Sequence, residues 1–139
     1  MLKAGTATKI INNDLGTVIQ GATHRATVRH IRDDLEANAL WIESDGNGLL
    51  LITCDLGGTD IEYVQGLLPA VAEASGVPKG SILIGCSHTH SAPSVLGPTH
   101  PDKLIDDVYL ERLRAWLCAA ASEAVSTAEV AEVAWGKGR

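Results

Sequence analysis

Residues 35–54 read LEANALWIESDGNGLLLITC, and their patterning decides the fold. Leu35, Ala37, Ala39 and Trp41 alternate with more polar positions, the period of a half-buried strand. Asp45-Gly46-Asn47-Gly48 is a strong two-strand turn signal. Leu49–Cys54 then run without interruption as apolar residues and Thr53, the pattern of a strand buried on both faces. The stretch is therefore predicted to be a β-hairpin that enters the centre of a sheet.

Upstream, residues 2–11 (LKAGTATKII) have the β-branched alternation of a first strand. Asn12–Gly16 is turn chemistry, and residues 17–29 read as extended pieces broken at Gly21. Downstream, residues 59–75 place Ile61, Val64, Leu67, Leu68, Val71 and Ala72 at helical spacing. Thr59 and Glu62 form a capping box, and Gly76 supplies a stop. Pro69 is expected to kink or split this helix. Residues 81–86 (SILIGC) form another buried strand, and a polar loop follows over 87–103. Asp106 or Asp107 caps a helix over about 107–126, and residues 128–136 make a last strand. The order is β-β-β-α-β-α-β, an α/β layered mixed sheet, partly parallel because each helix links two strands.

The 139 residues suit a single domain, with 45% apolar and 20% charged residues. The formal net charge is -6 and no basic stripe appears, which argues against a nucleic-acid partner. With five aromatic residues, three Trp and two Tyr, a stacking platform for single strands is not expected. Cys54, Cys86 and Cys118 form no metal-binding spacing and sit in apolar stretches, so they read as reduced, buried thiols of a reducing compartment. The first residues have no apolar signal core, and no run approaches the ~20 apolar residues of a membrane span. A cytoplasmic location is expected.

Chemistry concentrates in Gly85-Cys86-Ser87-His88-Thr89-His90-Ser91-Ala92-Pro93. In open α/β sheets ligands collect beyond the carboxyl ends of strands. If residues 88–90 stay extended, His88 and His90 point the same way, with Cα atoms about 6.6 Å apart. Two such imidazoles can share an ion, or one can hold it while the other faces substrate. Asp55 ends the preceding buried strand; there it can ligate metal, orient a histidine, act as a base, or simply stabilise the start of the next helix. His24, His30 and His100 have plainer readings, the first two on a solvated strand face and the third in a proline-flanked loop.

Residues 81–93, SILIGCSHTHSAP, resemble the signature of the neutral/alkaline non-lysosomal ceramidase family, in which a strand leads into a Ser/Thr-His-Thr-His-Ser-Gly/Ala-Pro loop. Other segments are similar to that family in the same order: Ala4–Ile10, Arg29–Leu40, Leu51–Leu56, Ala74–Pro78 and Trp135–Gly138. The resemblance implies a zinc-dependent hydrolase of an amide bond. It makes His88 a zinc ligand, and it puts His90 beside the zinc to polarise the substrate carbonyl. The substrate would be a small-molecule or lipid amide. Ala92 stands where glycine is common, and Asn38 where arginine is common. The family's remaining ligands, a further histidine, a glutamate and a tyrosine, fall downstream of residue 139. The chain is therefore expected to be the N-terminal portion of a larger hydrolase domain. Its expected protein partner is the remainder of that enzyme, or further copies of itself. Two competing readings are a complete metal site that recruits His24, His30 or Asp55, and a non-enzymatic α/β module that homo-oligomerises.

Overall fold

The computed structural model describes residues 1–19, 26–93, 95 and 106–138. Its strands are β1 (Leu2–Ile10), β2 (Val18–Ile19), β3 (Ala26–Thr27), β4 (Glu36–Ser44), β5 (Asn47–Cys54), β6 (Ile82–Cys86) and β7 (Glu129–Val130). Two helices, α1 (Ile61–Ser75) and α2 (Asp107–Ser126), complete the α/β layered fold. The main sheet has the order β6-β5-β4-β1-β7, and β2 pairs with β3 in a separate small ribbon.

The hairpin forms as the sequence predicts. Ser44 pairs with Asn47, leaving Asp45 and Gly46 as the two loop residues. Both have positive φ, 53° and 79°, the handedness that matches strand twist. Trp41 lies directly over Gly48, where any Cβ would enter the indole ring. The β5-α1-β6 crossover makes β5 and β6 parallel. The second crossover differs from expectation. It carries the chain across the whole sheet, and β7 pairs antiparallel with β1 at the far edge. The predicted last strand shrinks to two residues, because only Lys3 and Ala4 offer it partners. Val133 and Trp135, expected within it, are exposed.

Both helices pack on one face of the sheet. That face presents Ala7, Ala37, Ala39, Trp41, Leu50, Ile52 and Cys54 to Leu67 and Val71 of α1 and to Tyr109, Leu113, Leu117, Ala120, Ala121 and Ala124 of α2. Small residues let α2 approach closely: a Cβ on Gly5 would collide with the Ala124 carbonyl. The Tyr109 hydroxyl donates to the Ile11 carbonyl at 2.8 Å, pinning the helix to the end of β1. β5 is thus buried on one face only, contrary to its uninterrupted apolar sequence. Leu50, Ile52 and Cys54 are buried, whereas Leu49 and Thr53 are exposed.

Two local expectations change at α1. The N-cap is Asp60, whose carboxylate accepts from the Tyr63 amide at 2.7 Å, rather than Thr59. Thr59 bridges to Val95 instead. The helix also runs continuously through Pro69. Pro69 and Gln65 are both exposed, so the carbonyl deprived of its intrahelical donor lies on the solvent side of the helix. Gly76 ends the helix in the left-handed conformation with φ 73°, as expected.

Candidate functional site at the carboxyl rim of the parallel strands

The parallel register pairs Cys54 with Cys86, so β5 and β6 end at the same rim. Asp55 and Ser87 follow directly, and the Ser87 amide continues the ladder by donating to the Cys54 carbonyl at 3.0 Å. The backbone then departs from the predicted extended form. His88 has φ 62°, a left-handed conformation uncommon outside glycine, though histidine is among the residues that enter it. The His88 and His90 rings nevertheless converge. Their centroids are 5.1 Å apart with planes at 78°, and both residues are exposed. Their proximity comes from a turn and not from strand alternation.

His88 Nδ1 lies 2.5 Å from the Gly57 carbonyl oxygen. A carbonyl can only accept, so Nδ1 carries the proton in that contact. The neutral ring then leaves the lone pair on Nε2, and a hydrogen bond on the opposite nitrogen is the usual support of a metal-binding imidazole. The loop beyond is anchored by its apolar residues. Ala92, Pro93 and Val95 are buried, Pro93 bridges to Ile19, and Val95 bridges to Thr59. The Thr89 hydroxyl accepts from the Ser91 amide at 3.3 Å.

Asp55 has a structural task as well. Its Oδ2 accepts from the Glu36 amide at 3.1 Å, and its own amide donates to the Glu36 carbonyl at 2.8 Å. It does not cap α1, a duty that falls to Asp60. Asp55 also borders a cavity of about 680 Å³ walled by the small ribbon, the 28–35 connection and the signature loop. Thr89 and Ser91 line the same cavity, as do His30 and Arg29, whereas His88 and His90 are not among its lining residues. The structure therefore brings His88 to His90, and Asp55 to the residues flanking His90. The cavity walls at Asn12, Asn13 and Thr27 were not singled out in the sequence, where they carry only turn and strand signals. His24 and His100 lie outside the described residues.

The donor set suits zinc only in part. Two neutral imidazoles are good zinc ligands, but the described residues hold no cluster of three or more metal-binding side chains. The cysteines are free. Burial pushes the Cys54 thiol up to about 12 and raises Cys86 and Cys118 as well, which keeps them protonated and poor nucleophiles. No described helix is long and apolar enough to cross a membrane.

The helix-backed mixed sheet is a fold shared with one part of two solved ceramidase structures. In particular, the chain is similar to the neutral ceramidase from Pseudomonas aeruginosa, with a TM-score of 0.77 and 17% identity, covering 92% of this chain and 22% of that one. It is also similar to a ceramidase complexed with C2, with a TM-score of 0.61 and 17% identity, covering 90% of this chain and 20% of that one. The chain thus spans about a fifth of the length of these structures. No protein-family model and no curated protein sequence matches it.

Proposed function

We propose that this chain carries part of the catalytic centre of a zinc-dependent, ceramidase-like hydrolase that cleaves the amide bond of an N-acyl substrate. The observation that carries the reading is the His88 ring, held by Gly57 so that Nε2 has no partner among the described residues, with the His90 ring beside it at the strand rim. The fold shared with ceramidases supports it at the level of architecture.

In this reading His88 Nε2 would hold the metal, and His90 would lend a nitrogen to the ion or face the substrate. The other coordination positions would be filled from outside the described residues. A bound zinc supplies Lewis acidity and a water acidified to a pKa of about 7. His90, from its exposed position, donates a hydrogen bond to the substrate carbonyl oxygen and stabilises the negative charge that develops there. Asp55 keeps one carboxylate oxygen, Oδ1, for a polar hydrogen of the substrate, since Oδ2 is held by Glu36. The adjoining cavity, where Asn12, Asn13, Arg29 and Asp55 offer polar groups, takes the hydrophilic end of the amide, and the acyl chain is left to the surface beyond it.

The test is a zinc titration of histidine-15N-labelled protein followed by NMR. The His88 Nε2 resonance should move, and His88→Ala should weaken zinc binding at least tenfold. Ring resonances that stay still at about 1 mM zinc would remove His88 as a ligand. Hydrolysis of an N-acyl sphingoid amide, where it occurs, should be zinc-dependent and should fall by about 10²-fold or more in His90→Ala.

A further inference from the structure

We propose that two copies of this chain pack face to face through the side of the sheet that neither described helix covers. The inference is independent of the hydrolase reading and rests on the open sheet face. Register places Leu40 opposite Leu51, Ile42 opposite Leu49, and Leu51 beside Leu83, so three strands share one apolar surface. Ala4, opposite Ile42, extends it onto β1. Leu83 is 60% exposed and Leu49 43%, values at odds with the burial of the same residue type on the helix side.

Three features select a second copy as the occupant. First, the patch holds no charge. Its polar members are Thr6, Thr8, Asn38, Ser44, Asn47 and Thr53, and the carboxylates Glu36 and Glu129 stand at its margins, where they can stay in water when two copies pair. Second, each copy carries its helices on the opposite side. Face-to-face union therefore gives a helix-sheet-sheet-helix sandwich, with sheets about 10 Å apart and strands within about 30°. Third, the area suffices. Four strands spaced about 4.8 Å, three of eight or nine residues and one of five at about 3.3 Å per residue, give a footprint of about 500 Å² per copy. The two together reach about 1,000 Å², the floor for a specific interface. A weak, concentration-dependent dimer follows. Because each copy carries a net charge of -6, added salt should strengthen it by screening the repulsion.

Sedimentation velocity on the intact chain tests this, across concentrations up to about 100 µM and at low and high salt. The expected result is a mass that doubles with concentration and does so earlier at high salt. Leu49→Lys and Leu83→Lys sit at exposed positions and should shift dimerisation at least tenfold toward monomer, with unchanged circular dichroism. Val133→Lys, on the exposed tail, should leave it unchanged. A wild type that stays monomeric throughout overturns the proposal. So does a dimer indifferent to both lysines, which would place the contact at the β6 edge or on the helices, and so does open-ended aggregation.

Discussion

His88 combines two demands that a single substitution separates. Its ring is held by the Gly57 carbonyl, and its backbone adopts φ 62°. Asparagine enters the left-handed region readily, whereas a β-branched residue resists it. His88→Val should therefore unfold at lower denaturant than His88→Asn, by about 1–3 kcal/mol, while both lose the imidazole. Equal stability of the two variants in urea titrations would show that the turn relaxes without cost. Tyr109 poses a related test, because its hydroxyl is the partner of the Ile11 carbonyl in the buried core. Tyr109→Phe should cost about 1–3 kcal/mol by leaving that carbonyl unpaired, again measured by urea unfolding. That residues 88 and 90 stand close together at a strand end was legible in the sequence; the tautomer and the turn that brings the rings together were not. The tautomer depends on Gly57, thirty-one positions earlier.

The elements were largely legible because their signals are local. Alternation in β4, the Asp45-Gly46 turn and the helix over about 107–126 are short-range patterns, and each forms as predicted, although in α2 Tyr109 is buried where the sequence favoured Val108, which is exposed. The helix cap was misread because Thr59 and Asp60 are both good caps in sequence, and the choice depends on where the chain must turn. Asp60→Ala should cost about 0.5–2 kcal/mol, and Thr59→Ala less, as judged by thermal unfolding. In the hairpin, Gly48→Ala should destabilise by about 1–3 kcal/mol through its clash with the Trp41 ring. Adding Trp41→Leu should remove most of that penalty, since the obstacle is the indole.

At the scale of the molecule, the buried ionisable groups set an alkaline limit. Burial raises the Cys54 thiol from 9.0 to about 12 and the Tyr63 phenol from 10.0 to about 12. Their folded-state values lie above the unfolded ones, so the folded chain holds these protons where the unfolded chain releases them. The stability they contribute is complete below about pH 9 and is lost as pH rises toward 12. Thermal midpoints should fall across that window, and Cys54→Ala should flatten the fall even if it lowers the starting value. Tyr63→Phe should flatten it further at little cost, because the Tyr63 hydroxyl has no hydrogen-bond partner among the described residues. A melting temperature independent of pH between 9 and 11 would contradict the burial of both groups.

From the sequence alone came the main strands, the helices, the hairpin and the His-x-His pair at a strand end, because each is written in neighbouring residues within one or two periods of an element. Tertiary structure alone decided which side of the sheet the helices cover, where the last strand docks, and which carbonyl holds the His88 ring. The uninterrupted apolar run of β5 looks the same whether one face or two are buried; only the placement of α1 and α2 on a common side, drawn there by Gly5 and the alanines of β1 and β4, leaves Leu49 and Leu83 open.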